Sequence, residues 1–145
     1  MQIRAFQPGD ETAVIGLWES CGLVRPLNDP AEDIRRKLTV NPELFLVGEV
    51  GGEIIASVMA GYEGRRGWVN YVSVSPECRR QGFGRQILAE VERLLRLRGC
   101  PKINLQVRAT NPEAIKFYEH LGYKVDEVIS MGKRLEKDSE QPDSR

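Results

Sequence analysis

Residues 75–84 constrain what this chain can fold into more than any other stretch. They read Ser-Pro-Glu-Cys-Arg-Arg-Gln-Gly-Phe-Gly and join a strand pattern to the strongest helical pattern in the sequence. Before them, Trp68, Asn70, Val72 and Val74 stand at alternating positions of a strand over 68–74. After them, Phe83, Ile87, Leu88, Val91, Leu94 and Leu95 share one helical face, with Gly99 as cap and Pro101 as stop. Ile103, Leu105 and Val107 then alternate again. Strand, helix and strand in that order predict a parallel pair joined by a crossover helix. Upstream, the runs 44–50 and 53–62 flank Gly51-Gly52, which reads as a two-residue hairpin. Hairpins and a β-α-β unit in one chain predict a mixed sheet with helices on its faces.

The remaining elements fit this plan. Residues 3–6 read as a first strand, broken at Pro8-Gly9. Asp10 is the expected N-cap of a helix carrying Ala13, Val14, Leu17 and Trp18 and ended by Gly22. Asp29 and Pro30 open a second helix, with Glu32 completing a capping box and Ile34 and Leu38 as its stripe. Asn111-Pro112 opens a last helix with Ala114, Phe117, Tyr118 and Leu121 on one side, and 125–135 reads as a final strand. The expected order is β-α-α-β-β-β-α-β-α-β, an α/β (α+β mixed-sheet) domain over 1–135 with a polar tail over 136–145.

Composition narrows the function. A chain of 145 residues suits one domain with its own core. Lys plus Arg and Asp plus Glu both number 21, so the net charge is 0 and affinity for nucleic acid through bulk charge is disfavoured. No apolar run approaches the ~20 residues of a membrane helix, and the N-terminal residues carry no secretory signal pattern. Cys21, Cys78 and Cys100 form no C-x-x-C pair, and His120 is the one histidine. The expectation is a cytoplasmic protein, monomer or homodimer, with no metal, membrane or nucleic-acid partner.

The 79–84 junction carries the chemistry. A helix N-terminus offers free backbone N–H groups and a partial positive charge, and glycine lets a phosphate come close. Arg79, Arg80 and Arg85 add charge. These residues read as an anion site suited to a pyrophosphate, or as a glycine turn with solvated arginines. The pattern is neither a P-loop nor G-x-G-x-x-G. Tyr118 reads as a proton donor or as a core aromatic with its hydroxyl at the surface.

Two motifs together are more specific. R-x-x-G-x-G follows Val-Ser-Val-Ser-Pro-Glu at Arg79, Gly82 and Gly84. N-x-x-A-x-x-F-Y-x-x-x-G-Y begins at Asn111. The pair, with the element order, resembles the GNAT superfamily of N-acetyltransferases over 2–135. Leu17-Trp18-Glu19, Arg25-Pro26, Asn28-Asp29-Pro30 and Gly61-Tyr62-Glu63-Gly64 resemble its bacterial YpeA-type branch, and Val107-Arg108-Ala109-Thr110-Asn111 resembles the ribosomal-protein N-terminal acetyltransferases.

The resemblance implies acetyl-CoA as donor and an amine as acceptor, with direct transfer in a ternary complex. It implies that Val72 and Val74 pair with the pantetheine arm. The backbone of Arg79, Arg80, Gln81, Gly82, Phe83, Gly84 and Arg85 would hold the pyrophosphate. The strands over 68–74 and 102–107 splay to admit the thioester, Asn111 lies beside the pantetheine, and Tyr118 protonates the departing thiolate. It places the acceptor among residues 18–33, with Arg25, Asn28 and Asp29 as polar members; Asp29 also reads as a cap and Trp18 as core. Two positions depart from the family. Gln106 stands where ribosomal-type enzymes carry a basic Glu, which leaves Glu63, otherwise a turn carboxylate, as a candidate base. Cys78 replaces an aromatic beside Arg79. The competing readings are a non-catalytic CoA-thioester-binding or sensor domain and a module for another nucleotide. Against the latter, no acidic residue is placed for a ribose.

Overall fold

Gly51 and Gly52 have φ of 60° and 79°, the left-handed pair that a two-residue turn between twisted strands demands. They close the hairpin of β2 (Phe45–Val50) and β3 (Glu53–Tyr62), with Val50 opposite Glu53. β1 (Gln2–Ala5) pairs antiparallel with β2, and β4 (Gly67–Val74) antiparallel with β3. The computed structural model describes residues 1–136. Among them one sheet runs β1-β2-β3-β4-β5, and its last strand, β5 (Ile103–Leu105), lies parallel to β4. The crossover between these two is α3 (Phe83–Leu97), so the expected mixed sheet and β-α-β unit are present.

Alternation along the strands feeds a core on each face. Leu46, Val58 and Val69 meet Ile87, Leu88, Val91 and Leu95 of α3. Phe117, Tyr118 and Leu121, on and just beyond α4 (Pro112–His120), pack against the same cluster. On the other face Phe45, Val47 and Met59 meet Val14 and Trp18 of α1 (Glu11–Ser20) and Ile34 of α2 (Pro30–Lys37). Each such side chain contributes about 1.5–3 kcal/mol by leaving water.

Asp29 caps α2 as expected, accepting from the N–H groups of Ala31 (3.1 Å) and Glu32 (3.3 Å). Asp10 precedes α1 but makes no side-chain cap. Its carboxylate takes the fork of Arg4 at 2.7 and 2.9 Å and the N–H of Gln7 at 2.8 Å. A bidentate charged donor outcompetes a lone backbone N–H. The Arg4 bonds hold the Asp10 carboxyl below its usual range.

Three further expectations are corrected. Trp68, Asn70, Val72 and Val74 do not share a face. The register passes from Ser57 opposite Ser73 to Met59 opposite Asn70, so β4 carries one extra residue, and Tyr71 takes φ 52°. This bulge inverts the alternation: Val69 packs toward α3 before it, Val72 and Val74 after it. β5 ends at Leu105, two residues short of Val107. Residues 125–135 form no strand. Gly132 interrupts the apolar run, and Val125, Val128, Ile129 and Met131 are all exposed, so no burial holds the segment against the sheet. The segment is tied to β5 by side chains instead: Asp126 to Lys102 (3.0 Å) and Asn104 (2.8 Å), and Ser130 to Gln106. Most of the predicted 136–145 tail, from 137 on, lies outside the described residues.

Candidate active site

β4 and β5 touch and then part. They pair only from Gly67 opposite Ile103 to Val69 opposite Leu105, while β4 runs on to Val74. Beyond Val69 the β5-facing edge of β4 has no strand neighbour among the described residues. The Ser75 N–H bonds the Ile55 carbonyl at 2.8 Å. Strand alternation therefore turns the backbone groups of Val72 and Val74 to the opposite, open edge. The Val74 carbonyl there accepts from Cys21 Sγ and Arg79 Nε, each at 3.3 Å. Cys21, just past α1, is a contact that the sequence reading missed. It has no local pattern, since its partner lies on another element.

The extra residue in β4 is held from below. Trp18 stacks on Tyr71 with ring centroids 3.8 Å apart. The Trp18 indole N–H donates to Ser57 Oγ at 2.8 Å, and Ser57 Oγ lies 2.7 Å from Ser73 Oγ. A hydroxyl has one proton and two acceptor lone pairs. Ser57 Oγ thus accepts from Trp18, shares one hydrogen bond with Ser73, and lies 3.4 Å from the Tyr71 carbonyl. The Tyr71 hydroxyl donates to Asp33 of α2 at 2.6 Å. Sequence reading gave Trp18 a core role and singled out none of the other four.

At the end of β4 the chain turns through Arg80 (φ 65°) and Gly82 (φ 83°) into α3. The first rung of the helix runs from Gln86 N–H to the Gly82 carbonyl at 3.0 Å, so the N–H groups of Phe83, Gly84 and Arg85 precede the ladder. The two glycines differ in purpose. A Cβ on Gly82 meets nothing within 4 Å, whereas one on Gly84 would stand 2.9 Å from Cζ of Phe117. Gly82 keeps the loop in a left-handed turn with open space before it. Gly84 lets α4 pack onto α3.

Between the parted strands lies a cleft of about 1690 Å³. Its walls include Asn70, Tyr71 and Val72 of β4, Asn104, Gln106 and Arg108 of β5 and the loop after it, Asn111 and Tyr118 of α4, and Cys21, Arg25 and Asn28 beyond α1. Burial raises the Tyr118 phenol to about 12. Tyr123 stands edge-on to it at 5.8 Å and donates to Glu92 at 3.1 Å. Asn111 Oδ1 caps α4 by accepting from Ala114 N–H at 3.2 Å.

The structure thus brings Val72, Asn111, Tyr118, Arg25 and Asn28 to one cleft. Val74 and residues 79–85 stand at its β4 end without lining it. Two expected members are elsewhere. Asp29 is the cap of α2. Glu63 sits in the β3–β4 turn, where it accepts from the N–H groups of Arg65 (3.1 Å) and Arg66 (2.8 Å), and it is not on the cleft wall. Its Oε1 shapes that turn.

A sequence model of the acetyltransferase (GNAT) family matches residues 11–123. The chain belongs to that family and is an acetyltransferase. It is 50% identical over 140 residues to an acetyltransferase of Yersinia enterocolitica, covering 97% of this chain and 99% of that one. It superposes on Ard1 from Thermoplasma volcanium with a TM-score of 0.76 at 25% identity, covering 86% and 83% of the two chains. With Naa20 of Chaetomium thermophilum, solved with a bisubstrate analogue, the TM-score is 0.70 at 27% identity, covering 86% and 72%.

Proposed function

We propose that this chain moves an acetyl group from acetyl-CoA directly to the nitrogen of an amine acceptor, in a ternary complex, within a single catalytic domain over 1–135. The observation that carries this reading is the open edge of β4 beside the cleft. An unpaired strand edge binds an amide-bearing arm as a further strand would. The backbone of Val72 and the N–H of Val74 supply that edge, the Val74 carbonyl being taken by Cys21 and Arg79. The residues at 79–85 suit a pyrophosphate: free N–H groups lead α3, Gly82 leaves the approach open, and the side chains of Arg80 and Arg85 have no partner among the described residues. Three widely spaced cysteines with no C-x-x-C pair suit a reducing, cytoplasmic setting.

The reaction demands a neutral amine, whose reference pKa is about 10.4, at near-attack distance from the thioester carbonyl. Gln106 lines the cleft but its amide cannot take the proton, so solvent is the acceptor in this reading. Tyr118 stays a phenol at neutral pH, because burial raises it to about 12. The burial that raises the phenol raises the proton affinity of a departing thiolate as well. We read Tyr118 as a hydrogen-bond donor to the sulfur as it leaves.

Thermal-shift titration with acetyl-CoA, CoA, ATP and NAD tests the donor site. Ligand at 100 times its Kd should stabilise the fold by about 2.7 kcal/mol, several degrees in Tm. A rise with both CoA forms and none with ATP or NAD is expected; no rise with either CoA form sinks the reading. The two glycines refine the test. Gly82→Ala should cost about 1–2 kcal/mol through its left-handed φ and weaken CoA binding as well. Gly84→Ala should cost about 1–3 kcal/mol by pressing on Phe117, with its main signature a lower Tm.

A further inference from the structure

The cleft has an unbalanced electrostatic wall. The face of the sheet that carries α1 and α2 presents Trp68, Asn70 and Tyr71 from β4, and alternation past Ile103 and Leu105 turns Asn104 to the same side. Across from them, on the link between α1 and α2, stand Arg25 and Asn28. The carboxylates here are engaged. Asp33 accepts from Tyr71 (2.6 Å) and Arg36 (3.1 Å). Asp126 accepts from Lys102 and Asn104, and those bonds hold its carboxyl below the usual range. The other acids of the cleft, Glu92 and Glu119, belong to α3 and α4 on the opposite face, and Glu92 accepts from Tyr123. Arg25 is exposed, and among the described residues its guanidinium has no hydrogen bond or ion pair.

An open guanidinium repels an ammonium and favours its neutral form. That helps the chemistry but hinders the binding of a bare cationic amine. An acceptor with its own anion near the amine resolves the conflict, because the anion takes the guanidinium fork and leaves the nitrogen free to lose its proton. Resting on the acetyltransferase reading above, we propose that the acceptor is an amine carrying a carboxylate close to its nitrogen, and that Arg25 binds that carboxylate. Polycationic amines are poor acceptors. The carboxylate can belong to a free amino acid or to an acidic residue near a peptide's N-terminus.

The test uses matched amines with the full chain and acetyl-CoA, following release of CoA thiol. Free amino acids are set against their amides, and peptides with an N-terminal Asp or Glu and an amidated C-terminus against the same peptides with Asn or Gln. Spermidine and kanamycin represent polycations. In at least one of the two pairs the carboxylate form should have a kcat/KM about tenfold or more above its amide, and the pair that shows it identifies the source. Arg25→Ala should abolish that preference through KM, Arg25→Lys should retain part of it, and Arg25→Glu should shift preference toward spermidine. Equal rates within both pairs, a polycation as best acceptor, or an undiminished preference in Arg25→Ala overturns the proposal. If no amine turns over, product binding decides: N-acetyl amino acids or N-acetylated acidic peptides should raise the Tm of the CoA-bound protein above the rise given by their amides. Absence of that difference likewise overturns the proposal. Thiol release without carboxylate preference leaves the acetyltransferase reading standing, whereas absence of a CoA-induced shift removes both.

Discussion

Tyr118→Phe is expected to lower kcat by about 100-fold while leaving the KM for acetyl-CoA within about twofold. The size follows from the role. A hydrogen bond to a charged sulfur contributes about 1.5–3 kcal/mol, which is roughly 10- to 150-fold in rate. A general acid that finished ionised could contribute up to about 10⁴-fold. The pH profile separates the two roles further. Burial raises the Tyr118 phenol to about 12, so the protonated form is present at all lower pH and is lost only as pH rises through that value. In the wild type, kcat/KM should climb toward the amine's own pKa with no descending limb from Tyr118 below about pH 10. Steady-state kinetics of wild type and Tyr118→Phe from pH 6 to about 10 check this. A variant as active as wild type removes Tyr118 from the mechanism; a fall approaching 10⁴-fold restores full proton transfer.

Trp18→Ala is expected to be the most destabilising single change on the α1 side, and Trp18→Phe to be folded but impaired in donor binding. Trp18 is fully buried, stacked on Tyr71 and within 6.2 Å of the Phe45 ring. Truncation of such a side chain costs about 3–5 kcal/mol, on the order of 10 °C in Tm for a chain of this size. The phenylalanine variant keeps an aromatic ring over Tyr71 but leaves Ser57 without the indole N–H. Tyr71 holds a left-handed φ that a side-chain-bearing residue adopts at a cost of about 1–3 kcal/mol, and it does so inside this frame. With the frame loosened, the edge at Val72 and Val74 loses its fixed direction. The KM for acetyl-CoA in Trp18→Phe should rise several-fold at temperatures where the protein remains folded. An unchanged KM would show that the bulge needs no support from α1.

How much of this was legible in the sequence depended on whether the determining contact was local. β3, the Gly51–Gly52 hairpin, the amphipathic face of α3 and the Asp29 cap are each specified within a few residues, and all stand where the spacing put them. The 79–84 junction was legible for the same reason: a strand end, a glycine turn and a helix start are consecutive. Two local patterns misled. Asp10 has the form of an N-cap, yet Arg4 on β1 offers its carboxylate a stronger partner. Residues 125–135 have strand-like composition, yet their apolar side chains stay exposed, and side chains rather than a backbone ladder tie them to β5 and its flanks.

The tertiary structure decided the rest, because it depends on groups far apart in sequence. An extra residue in β4 is invisible in an alternation pattern, since only the register against β3 reveals it. Gly84 has a second role that the sequence does not show: Phe117, on another helix, occupies the space its side chain would need. Glu63 follows β3 in sequence, yet the structure places it in the β3–β4 turn and off the cleft wall. The sequence by itself determined the strand–helix–strand unit and its anion-ready junction, through propensities that act over one or two turns of chain. Only the packing of α1 and α2 beneath β4 decided where that strand bends, which edge it leaves open, and which charges face the cleft without a partner.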